Sequence, residues 1–165
     1  MTIGFIGLGV MGGNMARHLS DDHELVVFDV DRAKMDAVVN ASRDAGVVAV
    51  SGVRSVAEQS DLVLLSLPTT PIVEEVAIGE AGILSSLSEG KCVIDLSTTE
   101  PAATERMAAA FAERGIDFLD APVSGGEGGA RDATLSIMVG GGQDVFDRYK
   151  PVLEIIGGSV VRVGE

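Results

Sequence analysis

The chain has 165 residues, of which 46% are hydrophobic, and it carries a formal net charge of −13 at pH 7. This length predicts one domain over residues 1–165 with a sizeable core. The acidic balance argues against nucleic acid or an anionic membrane as a partner. The single cysteine, Cys92, excludes an internal disulfide and a cysteine-rich metal site. Because the sequence has neither a signal peptide nor an apolar run of about 20 residues, we expect a cytoplasmic protein.

The opening stretch, residues 2–19, has the order of a phosphate-binding unit. A short apolar run over residues 3–6 predicts a buried strand, and Met11, Met15 and Leu19 recur at the spacing of a buried helical stripe. Between them the chain spells G-x-G-x-x-G, whose glycines permit a tight turn and let a pyrophosphate approach the backbone. The motif residues are the first candidate cofactor contacts: Gly7, Leu8, Gly9, Val10, Met11 and Gly12.

A lone G-x-G-x-x-G also occurs in glycine-rich turns that bind nothing, so its context decides. Asp29 ends a predicted strand over residues 24–29 and lies 17 residues after Gly12, near the place where dinucleotide folds carry an acid. A carboxylate there can accept both ribose hydroxyls of an adenosine and repels a 2′-phosphate, which favours NAD over NADP. The alternative, that Asp29 only caps the next helix, is weaker because Asp31 is already a suitable N-cap.

The rest of the chain alternates between predicted strands and helices. Further strands are predicted over residues 46–49, 61–66, 92–96, 116–119, 135–139 and 160–163, and helices over residues 32–41, 55–59, 72–77, 102–114 and 143–156. The first strands complete two βαβαβ halves, the pattern of a doubly wound α/β, Rossmann-type fold with a mainly parallel sheet and helices on both faces. Residues 121–130, with four glycines and a proline, are expected to form a loop.

Several informative stretches follow the carboxyl ends of predicted parallel strands. They are the glycine turn and residues 67–71, 97–99 and 121–129. Ligands of open α/β sheets bind at this edge. Their convergence therefore predicts a binding site more strongly than any one motif does.

Four motifs together resemble the β-hydroxyacid dehydrogenase family, of the 3-hydroxyisobutyrate dehydrogenase and 2-hydroxy-3-oxopropionate reductase type. The motifs are residues 4–12 with Met15-Ala16, Leu67-Pro68, Asp95-Leu96-Ser97-Thr98 and Asp120-Ala121-Pro122-Val123-Ser124-Gly125-Gly126. The resemblance runs the length of the chain. It implies the NAD-binding domain of an enzyme that transfers hydride between NAD and a small 3-hydroxy acid.

The resemblance also assigns roles to single residues. It implies that Leu67, Pro68 and Thr98 contact the cofactor, and that the substrate carboxylate is held by Ser124, Gly125 and Gly126. Small consecutive residues can indeed present backbone N–H groups to an anion, although glycine-rich segments are also plain connectors. Family members that prefer NADP commonly carry Asn-Arg where this chain has Asp29-Val30. That difference supports NAD, with the nearby Arg32 as the residue that would favour NADP.

The family's catalytic lysine lies after the last strand of the nucleotide domain, on a helix that leads to an all-helical second domain. None of Lys34, Lys91 and Lys150 has that place, so we expect the catalytic lysine to lie beyond Glu165 and the helical domain to be absent. The chain alone should then turn over weakly or not at all. Without that domain the apolar segment 152–163 should be partly uncovered, so we expect self-association into a homo-oligomer. The alternatives are a stand-alone nucleotide-binding or interaction module and an S-adenosylmethionine methyltransferase.

Overall fold

The computed structural model describes residues 1–42 and 46–165, which form a nine-stranded sheet with helices on both faces. The strands are β1 (Thr2–Ile6), β2 (Glu24–Phe28), β3 (Val47–Ala49), β4 (Leu62–Leu65), β5 (Cys92–Asp95), β6 (Asp117–Asp120), β7 (Val123–Ser124), β8 (Leu135–Gly140) and β9 (Gly157–Gly164). The helices are α1 (Val10–Leu19), α2 (Arg32–Ala41), α3 (Val53–Gln59), α4 (Thr70–Ile78), α5 (Pro101–Ala112), α6 (Gly126–Arg131) and α7 (Gln143–Glu154), with a 3₁₀ turn at Ile83–Ser85.

Six parallel strands lie in the order β3-β2-β1-β4-β5-β6, as the sequence predicts for a doubly wound fold. The strand order reverses between β1 and β4, which is the topological switch point of the sheet. Ligands bind at this point in such folds. Beyond β6 the sheet becomes mixed, because β8 pairs antiparallel with β6 and β7 but parallel with β9. The predicted α/β, Rossmann-type fold is confirmed.

The two faces of the sheet carry separate cores. Phe5 and Ile6 are neighbours in β1 and both are buried, yet they belong to different hydrophobic clusters because successive strand residues face opposite sides. The cluster around Phe5 is completed by α1, α2 and α7, and the cluster around Ile6 by α3, α4 and α5. Ala103, Met107 and Phe111 recur at four-residue spacing and form the fully buried stripe of α5.

The prediction of a loop over residues 121–130 is wrong, because this segment contains β7 and most of α6. Gly125 and Gly126 have φ of +139° and +59°, so they turn the chain from β7 into α6. The glycine content of α6 disfavours a helix by propensity. Packing outweighs it, since Gly129 and Ala130 are buried and a Cβ on Gly129 would lie 3.1 Å from Leu135 Cδ2.

Several helix starts differ from their predicted positions. Pro71 was expected in a loop but lies in the first turn of α4, where its missing N–H costs nothing. The third helix, α3, begins at Val53, two residues before its predicted start at residue 55. Within the described residues, no helix is long and apolar enough to cross a membrane.

The end of the chain is only partly uncovered. Val152 and Leu153 in α7, and Ile156 just after it, are buried. Val161 and Val163 in β9 are 53% and 67% exposed. The expectation of an exposed apolar end therefore holds for β9 and not for α7.

Two glycines of the first turn provide a matched stability test. A Cβ on Gly12 would overlap the carbonyl oxygen of Gly7, whereas no described atom lies within 4 Å of a Cβ on Gly9. We expect Gly12→Ala to lower the free energy of unfolding by ~1–3 kcal/mol through overpacking, and Gly9→Ala to leave it nearly unchanged. Urea denaturation followed by circular dichroism measures the difference. Equal midpoints for the two variants would contradict the packing.

Candidate functional site

A cleft of about 580 Å³ opens at the carboxyl ends of β1 and β4, where the strand order reverses. Its walls come from the glycine turn, the end of β2, the segment after β4 and α4. Of the ten predicted cofactor contacts, those that line the cleft are Gly7, Gly9, Val10, Met11, Gly12, Asp29, Leu67 and Pro68. The structure thus brings most of the predicted cofactor residues together.

The glycine turn leaves the start of α1 open to this cleft. Gly7 has a φ of +93° and donates its N–H to the carbonyl oxygen of Phe28 at 3.0 Å, which fixes the turn against β2. Gly9 is the N-cap of α1, and no described side chain caps it. The first N–H groups of a helix lack intrahelical acceptors and carry the positive end of the helix dipole. The turn can therefore receive an anionic group.

Asp29 is buried at the end of β2, with a relative exposure of 8%. Its Oδ2 accepts the Leu8 N–H at 2.7 Å, and its Oδ1 accepts the Asp31 N–H at 2.8 Å. Leu8 itself packs in the core and does not line the cleft, so its contribution is to hold the acid against the turn. Asp31 caps α2 by accepting the Ala33 N–H at 3.0 Å, which removes the alternative that Asp29 is only a cap.

Lys34 is a cleft residue that the sequence analysis missed. Its Nζ lies 3.7 Å from Asp29 Oδ1, and its side chain is 44% exposed and lines the cleft. Arg32, the cation singled out from the sequence, instead pairs with Asp36 at 3.0 Å and does not line the cleft. A position in the first turn of the helix that follows the acidic strand end is the signal that could have indicated Lys34.

The loops that follow β4 and β5 are tied together through Asp95, which is fully buried. Asp95 Oδ1 accepts the Ser97 N–H at 2.9 Å and Oδ2 accepts the Thr99 hydroxyl at 2.7 Å. The Ser97 hydroxyl in turn accepts the Leu67 N–H at 2.9 Å. Thr98, a predicted cofactor contact, is exposed between these two anchored residues and does not line the cleft.

The predicted substrate residues lie apart from the cleft lining, at the junction of β7 and α6. Ser124, Gly125 and Gly126 are all exposed. β7 is held by antiparallel pairing to β8, with Ser124 opposite Ser136. The other end of α6 is bound to α1, because His18 Nε2 lies 2.8 Å from the carbonyl oxygen of Arg131. The glycine-rich segment is therefore anchored to α1, the helix that follows the glycine turn.

Asp120 at the end of β6 is a second acid that the sequence analysis did not assign. Burial, followed by the neighbouring Asp95 carboxylate, raises the pKa of Asp120 to about 6. Its Oδ1 is buried and has no hydrogen-bond partner among the described residues. Acids that end two neighbouring apolar strands are the signal that could have indicated this pair.

Two further observations concern metal-ligating side chains and the cysteine thiol. Across residues 1–42 and 46–165, no group of three or more His, Cys, Asp or Glu side chains is arranged to hold a metal ion. Cys92 is fully buried in β5, and burial raises the pKa of its thiol far above the ordinary value. Cys92 is therefore a core residue whose thiol has little thiolate character.

Comparison with known proteins finds the same unit elsewhere. Residues 2–164 match the family described as the NAD binding domain of 6-phosphogluconate dehydrogenase. The chain is 45% identical to 2-hydroxy-3-oxopropionate reductase of Escherichia coli, over 99% of this chain and 55% of that enzyme. Mycobacterium tuberculosis 3-hydroxyisobutyrate dehydrogenase with L-serine is 32% identical with a TM-score of 0.90, over 99% of this chain and 54% of that one. Psf3 in complex with NADP+ and 2-OPP is 31% identical with a TM-score of 0.91, over 99% and 57%.

The chain spans about half the length of the curated relatives it matches. The part that matches in each case contains the glycine turn, the acid that ends β2 and the loops at the carboxyl edge. The chain therefore belongs to the family of the NAD binding domain of 6-phosphogluconate dehydrogenase, and over this domain it is similar to 2-hydroxy-3-oxopropionate reductase and 3-hydroxyisobutyrate dehydrogenase.

Proposed function

We propose that residues 1–165 form one domain that binds NAD in the cleft, within an enzyme that transfers hydride between NAD and a small 3-hydroxy carboxylate. The observation that carries the proposal is the open start of α1 beside Asp29. At Gly9 no described atom lies within 4 Å of a Cβ position, so a phosphate has room to approach the backbone. A volume of about 580 Å³ is in the range of small-molecule sites.

The residues that line the cleft divide by chemistry along its length. In the proposed arrangement, the N–H groups of Val10, Met11 and Gly12 face the pyrophosphate. The Asp29 carboxylate accepts the ribose hydroxyls. The adenine lies against the apolar rim, where Val30 and Ile72 are 94% and 42% exposed. Exposed apolar side chains at a cleft rim favour a flat apolar ligand group.

The nicotinamide end is proposed to lie towards the loops after β4 and β5, at Leu67, Pro68 and Thr98. A bound nicotinamide nucleotide accepts or supplies hydride at the substrate carbon. For the substrate carboxylate we propose Ser124, Gly125 and Gly126, since their exposed backbone has the small side chains that an anion-binding turn requires. The names of the relatives support a small hydroxy or semialdehyde carboxylate as the substrate class.

Binding of NADH, followed by its fluorescence, tests the proposal with two matched glycine variants. Gly9 and Gly52 are both helix N-caps whose Cβ position is free of described atoms within 4 Å, but only Gly9 lines the cleft. We expect Gly9→Ala to weaken NADH binding at least ~10-fold, equivalent to ~1.4 kcal/mol, because the methyl group occupies phosphate space. Gly52→Ala should bind as the unchanged chain does.

Two results would contradict the proposal. The unchanged chain could fail to bind NADH at millimolar concentration, or Gly9→Ala could bind it as tightly as the unchanged chain does. Since Gly9→Ala is expected to fold normally, weakened binding by this variant reports on the site and not on stability.

The preference between NAD and NADP has its own test. We propose NAD, because the buried Asp29 carboxylate would repel a 2′-phosphate, while Lys34 is the cation that could attract one. The unchanged chain should bind NADH more tightly than NADPH. Lys34→Ala should weaken NADPH binding several-fold and NADH binding little, whereas Asp29→Asn should narrow the difference between the two nucleotides.

Arg32→Ala is the control for cofactor choice, because Arg32 is paired with Asp36 outside the cleft. It should leave the ratio of the two dissociation constants unchanged. Tighter binding of NADPH by the unchanged chain would contradict the preference for NAD. An Arg32→Ala effect as large as that of Lys34→Ala would contradict the assignment of Lys34.

A further inference from the structure

Two acids end neighbouring strands side by side. Asp95 of β5 and Asp120 of β6 are paired in register in the parallel sheet. Paired residues on adjacent strands project from the same face, and such strands lie about 4.8 Å apart. The two carboxyl groups therefore lie next to each other at the carboxyl edge, between the cofactor cleft and the segment that leads to Ser124.

The surroundings of the two carboxyl groups differ. Asp95 is fully buried, and each of its oxygens accepts a hydrogen bond, from Ser97 and from Thr99. Both carboxylate oxygens of Asp95 are therefore engaged by donors. Asp120 has a buried oxygen with no partner among the described residues, so nothing described stabilises a charge there. Of the pair, Asp120 is the member that carries a proton more readily.

The other charged groups near β6 are engaged or distant. β8 places Gly140 opposite Asp120, which brings no side chain. On α5, Arg106 is paired with Glu74, and on α7, Lys150 is paired with Glu154. Arg148 of α7 is paired with Asp117, at the opposite end of β6 and beside Tyr149. The remaining acids of these helices are exposed: Glu105, Asp144 and Asp147. Asp95 is therefore the charged neighbour that acts on Asp120.

We propose that Asp95 and Asp120 share one proton, and that Asp120, as its carrier, donates a hydrogen bond to the Asp95 carboxylate. Asp120 is then a positioning residue. Asp95 already holds the loop that bears Ser97 and Thr99, and its carbonyl oxygen accepts the Ala121 N–H at 2.7 Å. A side-chain bond to Asp120 would add to this backbone bond and fix the start of the segment 121–126 against the loop after β5.

The shared proton makes the site sensitive to pH. When Asp120 loses its proton, two negative charges lie side by side and the hydrogen bond is lost. The pKa of Asp120 is raised above its ordinary value, so its proton stabilises the fold fully below pH ~4, and this contribution is lost as the pH rises through about 6. A bound nucleotide would bury the edge further and raise the pKa of Asp120 again. The effect on cofactor and substrate rests on the proposed function, whereas the proton itself does not.

Carbon-13 NMR of the aspartate carboxyl groups tests the shared proton directly in the 165-residue chain. We expect Asp120 to titrate near pH 6, and Asp95→Asn to lower its pKa by about 1 because a neighbouring negative charge is removed. Thr104→Val is the matched control. The Thr104 hydroxyl on α5 is the other buried side-chain oxygen without a described partner, and its removal should leave the titration of Asp120 unchanged.

An ordinary titration of Asp120 near pH 4 would overturn the inference. A shift in Thr104→Val as large as that in Asp95→Asn would also overturn it, because the pKa of Asp120 would then not depend specifically on the charge of Asp95. Asp120→Asn keeps a neutral donor at this position. Its urea midpoint should match that of the unchanged chain at pH 5 and exceed it increasingly up to pH 7. An equal difference at both pH values would indicate a merely structural role and would contradict the proposal.

NADH titrations of the unchanged chain and Asp120→Asn at pH 5.5 and 7.5 separate this inference from the proposed function. We expect the unchanged chain to lose affinity several-fold between the two pH values, and the variant to lose less. If NADH binds while Asp120 titrates normally, the inference fails and the proposed function stands. If Asp120 titrates near 6 but NADH does not bind, the proposed function fails and the shared proton stands.

Discussion

The hydrogen bond from the Leu8 N–H to the Asp29 carboxylate joins the glycine turn to the end of β2, and the geometry of the cleft depends on it. Since this bond is buried, an N–H left without its acceptor would cost ~1–3 kcal/mol. With the turn held in this way, the Gly7 carbonyl packs against Gly12, and α1 begins at Val10, after the N-cap Gly9, with no side-chain cap among the described residues. One carboxylate thus fixes the glycine turn and also lines the cleft.

A second buried acid, Asp95, organises the segments on the other side of the point where the strand order reverses. Asp95 holds Ser97 and Thr99 with its carboxylate and Ala121 with its carbonyl oxygen, and Ser97 accepts the Leu67 N–H. The segments that follow β4, β5 and β6 are therefore fixed relative to one another through few bonds. Asp29 and Asp95 stand at equivalent places, each at the end of a parallel strand, and each satisfies backbone donors that the adjacent turn would otherwise bury unpaired.

The sequence predicted the fold well where its patterns were local. β4 is a short, continuous apolar run that ends before Pro68, and α5 carries a buried stripe at four-residue spacing, so both patterns lie within one short stretch of the chain. α6 could not be predicted, because its glycines contradict helical propensity and only packing against Leu135 and α1 explains it. Lys34 and the pairing of Asp95 with Asp120 depend on which strands and helices become neighbours. Strand register is a property of the assembled sheet, so motif spacing along the chain could not reveal it.

The central claim is that the turn at Gly9 and the acid at Asp29 form two ends of one nucleotide site. A crystal structure of the chain grown with NADH tests it most directly. We expect the pyrophosphate over the N–H groups at the start of α1 and the adenosine ribose within hydrogen-bond distance of the Asp29 carboxylate. A nucleotide bound elsewhere, or one whose ribose leaves Asp29 bonded only to Leu8, Asp31 and Lys34, would contradict it.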